Sequence, residues 1–261
     1  MTDDAAPPPA PPTPVEKSRR GWTGPAALAV SLAALGLAAW PYVAPDAFGS
    51  WTVHRYMVSH PEVLQEASAA LQQREEQGRV ASINQAAATN PSLLAVDARD
   101  PAFGPTDARV TVVEFFDFRC PGCKAVAHDY RALMAANPDV RFVFKDWPIL
   151  DRGEDVTSQY AARAALAAHQ QGKYLAVYDA LMNERALNVE AIDRILQANG
   201  VDLPRAKAAI ASPEMTRHIA DIHTAAAALG LQGTPTFFIN GKASAGIDPR
   251  EVGQLIQAAK R

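Results

Sequence analysis

A Cys-x-x-Cys sequence between a strand-like run and a helix-like run constrains the fold of this chain most. The run ARVTVVEFFDF (108–118) is mainly apolar and rich in β-branched and aromatic residues, as in a strand buried on both faces. RCPGC follows directly, and KAVAHDYRALMAAN (124–137) then has helical spacing. A second strand-like run, VRFVFKDW (140–147), comes next. Strand, helix and strand in this order predict a parallel βαβ unit.

The two cysteines of that unit are the only ones in the chain. The order of elements places Cys120 at the amino end of the helix and Cys123 one turn further, on the same face. Unpaired N–H groups and the helix dipole favour negative charge there, so Cys120 should ionise more easily than an ordinary thiol. A thiolate attacks disulfides, and Cys123 is near enough to expel the bound partner. We therefore expect a redox-active disulfide between Cys120 and Cys123, with no other cofactor.

Three other roles for the cysteine pair compete with redox exchange. A structural disulfide suits an exported protein, but a bridge across two residues closes a very small loop and constrains little. Zinc needs four ligands, whereas the chain has no further cysteine and its six histidines show no paired ligand spacing. No metal site is therefore expected, although Cu(I) capture by the dithiol stays open as a secondary activity.

A second candidate site element is GLQGTPTFFINGKASAG (230–246), a short strand followed by the turn dipeptide Asn-Gly. Taken alone, Pro235 is an ordinary residue for the start of an edge strand. With an upstream Cys-x-x-Cys, a cis Thr234–Pro235 bond would instead set its backbone beside the thiols. A substrate chain could then pair with that backbone in extended form.

Glu114 is a third candidate, because it lies in an apolar strand six residues before Cys120. A buried acid needs a partner or a raised pKa, and Lys145 on the next strand is the predicted partner. A proton acceptor near Cys123 would speed its attack on a mixed disulfide. The alternative is a solvent-facing glutamate on an edge strand.

The amino-terminal part predicts a tail, a membrane anchor and an arm. Residues 1–22 are Pro/Ala-rich and should be disordered, whereas residues 23–45 lack charge and are long enough to span a bilayer. Basic residues precede the apolar run and Asp46 follows it, which predicts a cytoplasmic amino terminus and an exported remainder. A cleaved signal peptide is the alternative. A net charge of −3 without a dense Lys/Arg run argues against nucleic-acid binding.

The arm, residues 46–95, contains a helix signal. Ser59 and Glu62 have the spacing of a capping box, and a narrow apolar stripe follows. The stripe can pack on its own domain or join copies of the chain in a coiled-coil seam. Homo-oligomerisation through the arm is therefore one of two expectations.

EFFDFRCPGC, FVFKDWPIL and GTPTFFINGK resemble the DsbA-like branch of the thioredoxin superfamily. The resemblance implies an α/β thioredoxin-like domain over 96–261 with a helical insertion at about 155–229. It also implies roles for individual residues: Cys120 as nucleophile, Cys123 as resolving cysteine, Thr234 and Pro235 as the substrate-binding cis-proline loop, and Glu114 with Lys145 as a buried charged pair. The arm is similar to the amino-terminal region of copper-sensitivity-suppressor C proteins, which oligomerise.

The resemblance further implies a thiol:disulfide oxidoreductase acting on cysteines of exported proteins, with a membrane redox partner. We expect it in the bacterial inner membrane, with its catalytic domain in the periplasm. An oligomeric isomerase or reductase, or a copper-binding dithiol protein without turnover, are the alternatives. The strongly oxidising family member has a His in its dipeptide where this chain has Pro121-Gly122. We therefore expect a potential between about −270 and −120 mV.

Overall fold

The computed structural model describes residues 23–43 and 45–261, which fall into two compact units divided between Ala69 and Ala70. The first unit holds helices α1 (Thr23–Val43) and α2 (Pro45–Ser59) and the start of α3 (Glu62–Thr89). The tail predicted over 1–22 lies outside the described residues. No helix in the described part combines the length and apolar character needed to cross a bilayer. The membrane anchor predicted over 23–45 is therefore not supported.

The helix start predicted at Ser59 is wrong. Ser59 is the last residue of α2, and its Oγ donates to the Tyr56 carbonyl oxygen at 3.0 Å. Pro61 disfavours helical backbone at His60, so α2 ends there and α3 begins at Glu62. The serine and glutamate therefore lie on different helices.

The second unit is built around a five-stranded sheet whose strand order is β1-β3-β2-β4-β5. The strands are β1 (Ala102–Phe103), β2 (Thr111–Phe116), β3 (Arg141–Asp146), β4 (Thr236–Ile239) and β5 (Lys242–Ala243). Strands β2 and β3 are parallel and are joined by α4 (Pro121–Ala136), which confirms the predicted βαβ unit. All other neighbours in the sheet are antiparallel.

Five helices lie between β3 and β4 and form the predicted helical insertion. They are α5 (Thr157–His169), α6 (Tyr174–Asn183), α7 (Val189–Ala198), α8 (Leu203–Ile210) and α9 (Pro213–Leu229). A last helix, α10 (Pro249–Lys260), follows β5. Gly230 ends α9 in the left-handed region at φ 72°, which returns the chain to the sheet.

The sheet separates two hydrophobic clusters, because successive strand residues point to opposite faces. On the first face, Val112 and Phe116 of β2 and Phe144 of β3 pack with Tyr130 of α4 and Tyr178 of α6. The second face carries alternate residues of the same strands, packed with α9 and the end of α3. Its members include Ile83, Ala87, Val113, Phe115, Val143 and Phe238.

Candidate active site

Cys120 is the N-cap residue of α4, directly after the loop that follows β2. Its backbone is extended (φ −68°, ψ 121°), and its carbonyl accepts from the Lys124 N–H at 3.0 Å, the first bond of the helix. Pro121 occupies the first helical turn, where a missing N–H is tolerated. Both cysteines are free thiols; Cys120 is 8% exposed and Cys123 0%. Of the two, only Cys120 therefore keeps surface that a partner from solution could contact.

The electrostatic environments of the two sulfurs differ. The hydrogen bond from the Cys123 thiol lowers the pKa of Cys120 most, and burial opposes this effect. The Thr234 side chain and the backbone N–H groups of Cys123 and Gly122 lower the pKa of Cys120 further, to about 5. Burial raises the pKa of Cys123, and its bond to Cys120 and the charge of Glu114 add to this. Near neutrality Cys120 is thus an anion and Cys123 keeps its proton.

The Thr234–Pro235 peptide bond is cis, and it lies against the cysteine pair. In its thiol form Cys120 donates to the Thr234 carbonyl oxygen, with the sulfur 3.1 Å from it. A Cβ on Gly122 would lie 3.4 Å from the Pro235 ring and 3.6 Å from Ile247. The structure therefore brings together the predicted residues Cys120, Thr234 and Pro235. It adds Ile247, 43% exposed, which no sequence motif indicated.

Glu114 is fully buried on the first face of the sheet, on a central strand. The alternative of a solvent-facing edge residue is therefore wrong. Neither carboxyl oxygen has a hydrogen-bond partner among the described residues. Burial raises the pKa of Glu114 well above its usual value, and the nearby Asp146 raises it further. Burial thus favours the protonated form of a carboxyl group that lies close enough to Cys123 to interact with it.

Lys145 does not pair with Glu114, so the predicted buried charged pair is wrong. Glu114 is opposite Phe144 in the parallel register, and Lys145, the next residue, points to the other face of the sheet. There its ammonium group donates to Asp100 at 2.5 Å and to the Ala95 carbonyl oxygen at 3.0 Å. Lys145 therefore ties the segment before β1 to the sheet.

Asp146 is the buried acid on the Glu114 side that the sequence prediction missed. Its Oδ2 accepts from the Tyr174 hydroxyl at 2.8 Å, and burial raises its pKa. Asp146 follows Phe144 by two residues and so points to the same face as Phe144. The parallel register, which the sequence did not indicate, sets Phe144 opposite Glu114 and so brings the two acids to one face.

The part of the chain that the structure describes contains no group of three or more His, Cys, Asp or Glu side chains arranged to hold a metal ion. The site brings together two thiols, one of them acidic, a cis-proline loop and a buried acid.

Comparison with known proteins shows which proteins resemble the chain that carries this site. Residues 96–258 match the thioredoxin family, and residues 52–77 match the copper resistance protein ScsC N-terminal domain. A thioredoxin-like oxidoreductase from Silicibacter pomeroyi is 38% identical, with a TM-score of 0.58, over 63% of this chain and 94% of that one. BcfH from Salmonella enterica Typhimurium is 28% identical, with a TM-score of 0.63, over 86% of this chain and 99% of that one.

Curated relatives match over a shorter part of their own length. The Na(+)/H(+) antiporter NhaA 3 of Salinispora tropica is 35% identical over 145 residues, which are 55% of this chain and 22% of that protein. The chain thus spans about a fifth of the length of that relative.

The fold and the family match define the protein as thioredoxin-like. The chain belongs to the thioredoxin family, and a short stretch of its arm is similar to the ScsC N-terminal domain.

Proposed function

We propose that Cys120 and Cys123 exchange disulfides with cysteines of other proteins. The Cys120 thiolate attacks one sulfur of a substrate disulfide, and the other substrate sulfur leaves as a thiolate. Cys123 then loses its proton and attacks the Cys120 sulfur, which releases the reduced substrate and leaves a Cys120–Cys123 disulfide. The reverse sequence oxidises a substrate dithiol. The observation that carries this proposal is the difference between the two cysteines: Cys120 is acidic and keeps a little exposed surface, whereas Cys123 is fully buried and protonated.

Glu114 exchanges the proton of Cys123 in this scheme. Its charge raises the pKa of Cys123, so the two groups interact within the buried core. When a substrate opens the disulfide, protonated Glu114 supplies the proton that the leaving Cys123 sulfur needs. In the opposite direction, the ionised carboxylate receives it.

Thr234 and Pro235 bind the substrate main chain. Cis-Pro235 directly precedes β4, and the backbone of Thr234 next to it lies beside the Cys120 sulfur. An extended substrate segment can add to this backbone by main-chain hydrogen bonds, which gives affinity without demanding one sequence.

The substrates are cysteine-containing proteins outside the cytoplasm, and a membrane redox partner restores the working redox state. This location is supported by the basic residues Lys17, Arg19 and Arg20 before the apolar segment, as in exported proteins. Protease accessibility of the catalytic unit in intact and broken spheroplasts tests the location. Protection in intact spheroplasts would contradict it.

The arm makes the protein an oligomeric isomerase or reductase, rather than a monomeric oxidase. Residues 52–77 match the ScsC N-terminal domain. Over this stretch α2 and α3 expose large apolar side chains, at Val53, Tyr56, Val58, Leu64 and Leu71. Exposed apolar surface of this kind marks association sites.

Sizing of the intact chain and of a variant lacking residues 46–69 tests the oligomer. The deletion stops at 69 because Ile83 and Ala87 of α3 belong to the core of the catalytic unit. A monomer in both cases would remove the argument for an isomerase.

Copper capture by the dithiol is the second candidate, supported by the copper resistance domain that residues 52–77 match. Cu(I) requires both sulfurs as thiolates, whereas burial keeps Cys123 protonated. Stoichiometric Cu(I) binding without turnover of a disulfide substrate would favour this function over exchange.

Trapping of mixed disulfides tests the main proposal directly. In a Cys123→Ala variant the first step proceeds and the release step does not, so substrate proteins should accumulate on Cys120. The matched control is Cys120→Ala, in which the remaining sulfur is buried and protonated. Capture by the control and not by Cys123→Ala would reverse the two roles.

A further inference from the structure

A groove lies beside the cis-proline loop, and its second wall comes from helix α3. The groove has a volume of about 320 Å³ and is lined by the loop Gln232–Phe237, by the segment Ala243–Ile247 and by Arg79 and Ile83 of α3. A wider cavity of about 550 Å³ continues along α3 and shares Arg79, Ile83 and Gln232 with the groove. A polypeptide lying against Pro235 would therefore also meet α3.

This wall is a fixed part of the catalytic unit. Ile83 and Ala87 are 2% and 3% exposed and pack in the core beneath the sheet. The Asn84 side-chain oxygen accepts from the Ala243 N–H at 2.7 Å, which joins α3 to edge strand β5. Because α3 is held at Ile83, Asn84 and Ala87, the residues that precede Ile83 have a defined position on the groove.

Arg79 is the one charged side chain among the described residues that line the groove. Its Nε and Nη2 donate to Glu76 of the same helix, which holds the guanidinium group in place. Its Nη1 has no hydrogen-bond partner in the described part of the chain, and about a third of the side chain is exposed. A guanidinium group with an unused edge is suited to bind a carboxylate.

We propose that Arg79 binds an acidic side chain of the substrate, so that the enzyme prefers cysteines with an aspartate or glutamate nearby. The inference rests on the proposed function and adds a determinant of substrate choice. The substrate main chain lies along the Thr234 backbone, and a side chain pointing towards α3 meets Arg79. Glu76 fixes the guanidinium group and at the same time weakens its attraction for a second carboxylate.

The test uses the full chain with Cys123→Ala and three peptides. Each peptide carries one cysteine as a mixed disulfide with a chromophoric thiol, and the residues that flank the cysteine are Asp, Asn or Lys. The rate of peptide transfer to Cys120 is followed at low ionic strength. We expect the Asp peptide to react about fivefold faster than the Asn peptide, and the Lys peptide to be slowest. Salt at about 0.5 M should reduce the difference.

Three further substitutions test whether Arg79 causes the preference for the Asp peptide. Arg79→Gln should bring the Asp and Asn peptides to equal rates. Arg74→Gln is the matched control, since Arg74 lies exposed on the same helix and does not line the groove. Glu76→Gln should increase the preference for the Asp peptide. This last variant keeps the test decisive even if Arg79→Gln lowers stability.

The outcomes separate this inference from the proposed function. Transfer of no peptide to Cys120 would contradict the function itself. Transfer of all three peptides at equal rates, or the same preference in Arg79→Gln and Arg74→Gln, would overturn the role of Arg79 and leave the disulfide exchange intact.

Discussion

Replacing Glu114 by glutamine should give a more stable and slower enzyme. The substitution keeps the shape of the side chain and removes its ability to ionise. Glu114 is fully buried, and both carboxyl oxygens lack partners among the described residues. An unpaired buried polar group costs about 1–3 kcal/mol, and the glutamine amide carries a similar cost. The two proteins should therefore have similar free energies of unfolding wherever Glu114 is protonated in both the folded and the unfolded chain.

The difference should appear as the pH rises. Burial raises the pKa of Glu114 in the folded chain well above the value of 4.5 expected when it is exposed. The folded state then binds the proton more tightly than the unfolded state, and this contribution to stability is complete below about pH 4.5. It is lost as the pH rises through the folded pKa, at about 1.4 kcal/mol per pH unit. Glu114→Gln should lack this loss.

Urea unfolding of the reduced proteins at pH 5, 6, 7 and 8 measures the effect. We expect the variant to be more stable than the parent by a margin that grows with pH. Comparison of the two proteins cancels the contribution of Cys120, which is present in both. The difference between them reports Glu114 together with its interaction with Asp146. Stopped-flow measurement of mixed-disulfide release should show a loss of about 100-fold in the Cys123 step. Parallel pH profiles, or a variant less stable at pH 8, would refute the reasoning.

Two further outcomes follow from the contacts of the site. Lys145→Met should lower stability by about 3 kcal/mol in thermal or urea unfolding, because it leaves Asp100 buried without its ion pair. The same variant should leave the titration of Cys120 unchanged, since Lys145 is on the opposite face of the sheet from Glu114; a large change would restore the pairing first expected from the sequence. In a glutathione redox titration, the acidic Cys120 without a neighbouring histidine should give a potential between about −270 and −120 mV. A value outside that window would contradict the link between the Pro121-Gly122 dipeptide and the redox potential of the cysteine pair.

Local features of the catalytic unit were predictable, and features that depend on register were not. A β-rich run, two cysteines and a helical run are contiguous in sequence, so Cys120 could be assigned to a helix start from neighbours alone. The partner of Glu114 depended on the alignment of β2 with β3. That register sets Phe144 opposite Glu114 and points Lys145 to the other face of the sheet. No residue in either strand predicts this register.

The amino-terminal part was the least predictable. Helix α2 over Pro45–Ser59 has scattered aromatics and no capping signal, so periodicity did not indicate it. The apolar stripe of α3 left self-association and packing on the domain equally open. The structure assigns Ile83 and Ala87 to the core, so packing on the domain holds for the end of this helix. Leu64 and Leu71 near its start are exposed, and self-association there stays a proposal.

Titration of the Cys120 thiol tests the central claim most directly. The reduced protein is alkylated with iodoacetamide between pH 3 and pH 10, and modification of each cysteine is followed by mass spectrometry. The environment of Cys120 predicts a midpoint at about pH 5 and no reaction of Cys123 over the same range. Cys123→Ala should raise the midpoint, since the Cys123 hydrogen bond lowers the pKa most. A midpoint near that of an ordinary thiol, about 8.5, would contradict the account.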